Sequence, residues 1–555
     1  MFNQPPSESL ALNSASSSQP PLVVTTTEVE EGAQVAGPSL AGLLEQPEFL
    51  EQLIEQTRSP AARQAKVRVS AADEAGQHDR TLDTFLSTES TSERLRIWLG
   101  EAAVTRLASV RWSSIARQLQ SAIARIDRLL SEQTSKIIHH PAFQKLEASW
   151  RGVEYLVTAR ADAGDEQIQL RILNASYAEL CRDFDRAVEF DQSQLFQKIY
   201  EQEFGTAGGN PFGVLLADYD IHPRPSADHP YDDMAMLRSF SQVAAAAFCP
   251  IVLNASPTMF GHDSFGEMQT TVDYEKVHQD LSFLSWRSFR DTEDARFVSL
   301  AMPRMILRHA YRDRIDRDED FPYCEPIAGR NDCLWGGAAF AFGEVLMRAF
   351  ADNRWLADIR GAQRADSGGG IVRGIGPEHF ATESPECAQK PLTELLIGDS
   401  LERQMVDLGF LPLCACKDMP LAAFYSCPST QKAKSYQDAE ATANARLSAM
   451  LNYMLCVSRF AHYVKVIGRD KVGAFLDAPL LEHQLQNWIN GYVTADSEAS
   501  TQVKARYPLR EANLQVVPVP GKPGAFDCIF RLVPHYELED MQASIKLRTE
   551  LIRKF

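Results

Sequence analysis

The sequence predicts an α/β fold with a helical N-terminal part and an arm of β-strands at its C-terminal end. Apolar residues recur at helical spacing between about 91 and 160, and short apolar strands then alternate with amphipathic helices. From about residue 511 the apolar period falls to two, which is typical of half-buried strands. With 555 residues and 45% apolar content, the chain is long enough to form more than one domain.

Residues 1–85 are predicted to be mostly disordered, because polar residues and proline dominate them and apolar periodicity is rare. Within this tail an amphipathic helix is expected at about 39–57, since Leu50, Leu53 and Ile54 share one helical face. Such a helix could dock on the core of its own chain, or it could fit a groove in a partner. The residues alone leave both interpretations open.

The region 86–432 is expected to contain the α/β core. Strands are predicted at 168–176, 213–221 and 249–255, with helices at 176–188 and 234–248 between them. Cys414 and Cys416 are interpreted as strand residues, because a zinc site would need further ligands at similar spacing.

The region 433–555 is predicted to hold a long helix at about 438–466 and then the arm, 511–555. Period-2 alternation predicts strands at 513–517, 526–532 and 543–547. An exposed strand edge is a template for a strand of another chain. The residues predicted to form inter-subunit strands are Leu514, Val516, Val517, Phe526, Cys528, Phe530, Leu532, Ile545 and Leu547.

Composition excludes several classes of partner. The net charge is −18, whereas binding to a nucleic-acid backbone requires clustered Lys and Arg. The start of the chain lacks the charged and apolar regions of a signal peptide, and no stretch has the roughly 20 apolar residues of a membrane span. We therefore expect no nucleic acid, no membrane insertion and a location in the cytoplasm.

No motif predicts an active site. The glycine-rich segment 205–213 lacks the Lys-Ser/Thr ending of a phosphate loop, and it precedes a strand instead of a helix. The strongest metal candidate is a cluster of carboxylates and imidazoles near a strand end: Asp218, Asp220, His222, Asp228 and His229. Prolines separate these residues, and successive strand residues point to opposite faces. We therefore predict no metal, no cofactor and no enzymatic activity, with an enzyme that uses this cluster as the alternative.

Several segments, in one order along the chain, resemble the large sheath subunit of type VI secretion, the TssC/VipB/EvpB family. These segments are HHPAFQKLEASWRGVEYLV (139–157), FGTAGGNPFGVLLADYDI (204–221), FCPIVLNASPTMFG (248–261), SWRSFRDTEDARFVSLAMPRMILR (285–308), LWGGAAFAFGEVL (334–346), GFLPLCACKD (409–418), ATANARLSAMLNYMLCVSRFAHYVKVIGRDKVG (441–473), and KARYPL followed by PGKPGAFDCIFRLVPHYELEDMQASIKLR. Together they span roughly residues 90–555.

The resemblance implies a contractile-sheath fold, similar to phage tail sheaths, with no cofactor. It also implies partners: a small sheath subunit of the TssB/VipA kind, an Hcp tube, baseplate components and further copies of the chain in a helical polymer. A ClpV-type AAA+ unfoldase dismantles contracted sheaths of this family, and FLEQLIEQTRSP (49–60) resembles the helix that it recognises, which assigns Leu50, Leu53 and Ile54 to that contact. The assembled sheath would be attached to a membrane-anchored baseplate. A sheath from a phage tail or an extracellular contractile system is the alternative within this class.

Overall fold

The computed structural model describes Val23–Val24, 84–90, 93–94, 96–97 and most of 112–535. The gaps within the last range are 207, 269–270, 312–322, 328, 363–367, 375–391, 417–420, 471–477, 497 and 520–525. Contacts divide the chain into two compact units. The first comprises Met1–Glu31, Gly152–Ile306 and Gly336–Phe555, and the second comprises Gly32–Arg151 and Leu307–Trp335.

Helices and short strands alternate through most of the described chain. The strands are β1 Val23–Val24, β2 Gln169–Leu170, β3 Leu215–Ile221, β4 Ile251–Ala255, β5 Val298–Met302, β6 Met305–Arg308, β7 Leu334–Gly336, β8 Ile371–Val372, β9 Phe410–Pro412, β10 Cys414–Ala415, β11 Ala422–Ala423, β12 Leu509–Pro518 and β13 Phe526–Pro534. The α-helices are α1 Trp112–Ile138, α2 Pro141–Ala163, α3 Tyr177–Arg186, α4 Gln194–Phe196, α5 Asp233–Ala247, α6 Tyr274–Val277, α7 Leu284–Arg290, α8 Ala338–Asn353, α9 Asp399–Asp407, α10 Ala439–Ser448, α11 Leu451–Asp470, α12 Ala478–Asn490 and α13 Thr501–Arg506.

The first unit is built on a parallel sheet with strand order β3-β4-β5-β9. Every residue of β4 and β5 is buried, as expected for central strands that are covered on both faces. On one face, Ile251, Leu253 and Ala255 belong to the same apolar cluster as buried residues of α5. The predicted alternation of strands and helices is therefore confirmed for this part of the chain.

The other face of the sheet receives α8. Asn254 points to this side, where its Oδ1 accepts a hydrogen bond from the backbone amide of Ala339, 3.1 Å away, in the first turn of α8. A Cβ at Gly337 would lie 2.1 Å from the Asn254 side chain, so only glycine allows this close approach. This contact fixes where α8 begins against the sheet.

The helix α5 has defined ends. The Asp232 side chain accepts hydrogen bonds from the backbone amides of Met234 and Ala235, which otherwise lack partners in the first turn. Phe248 ends the helix in the left-handed conformation, with φ of 49°. The predicted helix at 234–248 and the predicted strand at 249–255 are thus confirmed within a few residues.

Other sequence predictions differ in extent. The strand predicted at 168–176 is reduced to Gln169–Leu170, which pairs in parallel with Val23–Val24 of the tail. The long helix predicted at 438–466 is divided into α10 and α11. Cys414 is a buried strand residue as predicted, whereas Cys416 lies just beyond β10 and is partly exposed. The segment 205–213 joins a π-helical turn, Gln197–Gly205, to β3, which agrees with its interpretation as a connection.

The second unit is held together by a buried ion-pair network. The Arg308 guanidinium contacts Glu147 Oε1 at 2.7 Å and Glu325 Oε2 at 2.6 Å. Glu325 also accepts hydrogen bonds from His139, at 3.0 Å, and from the backbone amide of Tyr311. Burial opposes ionisation of Glu325, but the contacts with Arg308 and Tyr311 lower its pKa below the ordinary value.

No described helix combines the length and apolar character that are needed to cross a bilayer.

Candidate assembly interface

An antiparallel hairpin, β12 and β13, closes the described part of the chain. Its register runs from Glu511 opposite Val533 to Pro518 opposite Phe526. The strands predicted at 513–517 and 526–532 are therefore confirmed, and each extends slightly beyond its predicted bounds.

One face of the hairpin is packed against helices of its own chain. Leu514 and Val516 are buried in a cluster with Val464 of α11 and Leu485 of α12. The apolar side chains of β13 are partly buried on the same face: Phe526, Cys528, Phe530 and Leu532. Val517 is only partly buried, because the alternation of the strand turns it away from this cluster. These side chains are thus mostly used within the chain, and the backbone edges of the hairpin are what it can offer to a second chain.

The outer edge of β12 is occupied by two side chains of α12. Gln486 Oε1 accepts a hydrogen bond from the Leu514 amide at 2.8 Å, and Gln486 Nε2 donates one to the Ala512 carbonyl at 2.9 Å. Glu482 Oε2 accepts a hydrogen bond from the Val516 amide at 2.9 Å. Backbone groups that would face a neighbouring strand are therefore already bonded.

The outer edge of β13 differs from that of β12 in its hydrogen bonding. In an antiparallel pair, facing residues alternate between pairs that exchange two hydrogen bonds and pairs whose backbone groups point outward. Leu514 and Val516 point outward, so their partners in the register, Phe530 and Cys528, point outward from β13. Among the residues that the structure describes, none accepts a hydrogen bond from these two β13 amides.

A second candidate surface is an apolar stripe on α1, in the other unit. Ile123, Ile126 and Leu130 recur at i, i+3 and i+7, and their side chains are 57%, 43% and 48% exposed. Leu129 beside them is 53% exposed. A continuous exposed apolar stripe on a long helix is typical of a surface that binds another helix. Sequence reasoning detected the helix but not which of its faces stays uncovered.

Comparisons with known proteins agree with the resemblance seen in the sequence. Residues 120–431 match the family model described as EvpB/VC_A0108, tail sheath N-terminal domain. Residues 440–551 match EvpB/VC_A0108, tail sheath gpW/gp25-like domain. The chain belongs to the VipB/EvpB tail sheath family. A curated relative, the type VI secretion system sheath protein TssC1 of Pseudomonas aeruginosa PAO1, is 37% identical over 440 residues, which cover 78% of this chain and 86% of the relative.

Membership of the VipB/EvpB family identifies the chain as a large subunit of a type VI sheath, which is a structural protein. The hairpin lies within the gpW/gp25-like match, as do Glu482 and Gln486 of α12. These two polar residues were missed at the sequence level, because a polar residue on an amphipathic helix is normally read as a solvated position.

Ile545 and Leu547 of the third predicted strand lie outside the described residues, and so do Leu50, Leu53 and Ile54 of the predicted recognition helix. Their roles stay predictions.

The structure brings together only part of the candidate metal-binding cluster that was identified from the sequence. His222 and His229 do come together, with their rings stacked at 4.3 Å, and the third member of their group is Asp233. By contrast, Asp220 contacts Arg304, and Asp228 is exposed. Two imidazoles and a carboxylate within 4.8 Å of one another are a ligand set that could hold an ion such as Zn²⁺.

In this structure both oxygens of the Asp233 carboxylate accept hydrogen bonds. The carboxylate is buried and accepts from Tyr177 Oη, from His229 Nε2 and from the backbone amide of His222, each at 2.7 Å. Burial raises the pKa of this carboxyl, but the hydrogen bonds from His222 and His229 outweigh burial and hold it below its ordinary value. The arrangement works as a polar network that ties α3, α5 and the end of β3 together.

Proposed function

We propose that this chain pairs with a small sheath subunit, polymerises around an Hcp-type tube and contracts to drive the tube and its spike into a target cell. The observation that supports assembly most directly is the terminal hairpin. Its apolar face is covered by its own chain, while the β13 edge directs the amides of Cys528 and Phe530 away from β12. Such an edge accepts a strand from a neighbouring subunit by backbone hydrogen bonding.

A strand shared at the C-terminal arm suits a sheath that must change shape without falling apart. Backbone hydrogen bonds in a shared sheet tether two subunits while the bodies that carry the strands rotate. Interfaces that do not close on themselves give a helical polymer, and packed interfaces change between discrete states. In this proposal 86–432 forms the core of the subunit, and 433–555 carries the arm, 511–555.

The small subunit would bind the apolar stripe of α1. The stripe consists of Ile123, Ile126, Leu129 and Leu130. A helix of the partner would bury these side chains, which supplies a hydrophobic driving force for forming the heterodimer before polymerisation.

The remaining steps concern other partners. The sheath would assemble in the bacterial cytoplasm on baseplate components, and contraction would release stored conformational energy without consuming nucleotide. A ClpV-type unfoldase would then dismantle the contracted sheath through the predicted helix that carries Leu50, Leu53 and Ile54.

The shared-strand proposal is tested by comparing Cys528→Pro with Cys528→Ala in the full-length chain, coexpressed with the small subunit. Proline removes the outward amide of β13 but none of the hydrogen bonds to β12, and proline is tolerated on edge strands. Alanine removes the same side chain and keeps the amide. We expect sheaths in electron micrographs of Cys528→Ala and few or none with Cys528→Pro.

Intact sheaths in the proline variant would overturn the proposal that the β13 edge is shared. Tubes formed by the chain alone would favour the one-component sheath of phage type instead. A deletion of 511–555 is a less specific test, because it would also remove Leu514 and Val516 from the core of α11 and α12 and expose apolar surface.

A further inference from the structure

The side chain of Gln486 copies the hydrogen bonding of one residue in a parallel β-strand. Such a residue donates its N–H to the carbonyl of one residue in the neighbouring strand and accepts, at its C=O, from the amide two residues further on. Gln486 donates to the Ala512 carbonyl at 2.9 Å and accepts from the Leu514 amide at 2.8 Å. Its carboxamide therefore fills the place of one residue of a parallel strand beside β12.

Glu482 extends the same hydrogen-bonding pattern by two residues along β12. It lies one helical turn before Gln486 in α12 and accepts from the Val516 amide at 2.9 Å. Four residues of α-helix advance by about 6 Å, and two residues of strand advance by about 6.8 Å. Side chains at i and i+4 of α12 can therefore follow alternate residues of β12 when helix and strand lie side by side.

The apolar contacts already hold β12 in place, so the hydrogen bonds from Glu482 and Gln486 are not needed to position the strand. Their consequence concerns the edge of β12. Leu514 and Val516 are buried against Val464 and Leu485 whether or not their amides are bonded. Without the α12 side chains, the β12 edge would present outward amides without acceptors, as the β13 edge does among the residues that the structure describes. A hairpin with two open edges would add strands on both sides.

We propose that Glu482 and Gln486 guard the β12 edge against strand addition by a second copy of this chain. The guard leaves the β13 edge as the accepting side, so each hairpin receives a strand in one direction only. One-sided acceptance is what an ordered helical polymer requires, whereas two accepting edges lead to branched or irregular association. This inference rests on the proposed function of the hairpin and adds how its use is restricted.

The test uses full-length Glu482→Ala/Gln486→Ala, without the small subunit. Residue-resolved hydrogen exchange should show the Leu514 and Val516 amides exchanging about tenfold faster than in the wild type. The Gln515 amide, which faces Ile529 in the hairpin, should be unchanged. In sedimentation velocity the double variant should form concentration-dependent oligomers under conditions in which the wild type forms fewer.

Two further variants separate the guard from effects on folding. His483→Ala/Asn487→Ala alters exposed residues of the same helix that bond to each other, and it should behave as the wild type. Glu482→Gln keeps an acceptor oxygen for the Val516 amide, so it should also retain slow exchange and the wild-type association state. If Glu482→Gln exchanged and associated as the alanine variant does, the hydrogen-bond guard would be refuted.

The results of this test can be told apart from the results of the test of the proposed function. Faster exchange without additional association in the alanine variant would overturn the guard, and so would unchanged exchange. Neither result bears on strand sharing at the β13 edge, which Cys528→Pro tests separately. Conversely, sheaths that survive Cys528→Pro would overturn the proposed function and leave the exchange result at Leu514 and Val516 intact.

Discussion

At the scale of single residues, Asp233 shows how one buried carboxylate can organise three segments. Its oxygens accept hydrogen bonds from Tyr177, His229 and the backbone of His222. Each donor lies on a different part of the chain, so the carboxylate acts as a common anchor. A buried acceptor in such a network stabilises the fold mainly because its donors would otherwise be left without partners.

We predict that Asp233→Asn lowers the free energy of unfolding by about 3 kcal/mol, because the amide group places a donor against existing donors. Thermal unfolding of the full-length chain would measure this loss as a lower midpoint. Asp228→Asn, five residues earlier in an exposed position, should change the stability by less than about 0.5 kcal/mol. Equal midpoints for the two variants would contradict the structural importance of the network.

His278 should make the stability of the fold depend on pH. Its ring stacks on Phe283 with the centroids 4.5 Å apart, and burial, aided by the charges of Arg290 and Arg287, lowers its pKa to about 4. The pKa of an unfolded histidine is about 6.5. Between these two values the unfolded chain binds a proton that the folded chain does not, so stability falls as the pH falls, by about 1.4 kcal/mol per pH unit.

We predict that His278→Phe reduces the loss of stability between pH 7 and pH 5 by about 2 kcal/mol, because it removes this titrating group and keeps an aromatic ring beside Phe283. Urea unfolding at the two pH values gives the comparison. His483→Gln, at an exposed position of α12, serves as the control and should keep the wild-type loss. A loss for His278→Phe equal to that of the wild type would show that this ring is not the group responsible.

At the scale of elements, substitutions in α1 can test whether its apolar stripe binds the small subunit. Ile126 and Leu130 are exposed, so Ile126→Glu/Leu130→Glu should leave the stability of the chain within about 0.5 kcal/mol of the wild type, since glutamate is a good helix former. The same double variant should lose copurification with the small subunit, because two buried charges would oppose the interface. Affinity purification from coexpressing cells would measure the recovery of the partner.

The control for α1 adds the same negative charge to a different face. Ala124→Glu/Arg128→Gln changes the net charge by the same two units at exposed positions away from the stripe. It should retain the small subunit. If both double variants lost the partner, charge and not the apolar stripe would explain the result; if neither did, the small subunit must bind elsewhere.

The hairpin illustrates what sequence periodicity could and could not predict. Period-2 alternation located β12 and β13 because it reports that one face of a strand is apolar. It does not report what covers that face, and here α11 and α12 of the same chain do so. The edge contacts of Glu482 and Gln486 were likewise invisible, because they depend on how α12 lies beside β12.

The same distinction applies to the core and to the histidine cluster. The parallel strands were predictable from short apolar runs, since central strands of such sheets are buried on both faces. His222 and His229 were noticed together because they are close in sequence. Asp233 was missed, because it belongs to the first turn of α5, where an acidic residue is expected at any helix N-terminus.

At the scale of the whole molecule, assembly and disassembly should depend on separate parts of the chain. The surfaces proposed for assembly, the β13 edge and the α1 stripe, belong to 112–535, whereas the proposed unfoldase contact belongs to the N-terminal tail. Under the proposed function, the subunit must be stable in the extended sheath and removable after contraction. It would benefit from this division, because each event could be controlled at a different site.

We therefore predict that Leu50→Asp/Leu53→Asp/Ile54→Asp leaves sheath formation and contraction unchanged but prevents dismantling by the unfoldase, since charges replace the apolar anchors of the predicted helix. Purified contracted sheaths, incubated with the unfoldase and ATP, would be followed by light scattering and electron microscopy. Gln52→Asp, on the opposite face of that predicted helix, should be dismantled at the wild-type rate. Dismantling of the triple variant at the wild-type rate would show that the unfoldase binds another segment. Failure of the triple variant to assemble would instead place the predicted helix within the sheath interface itself.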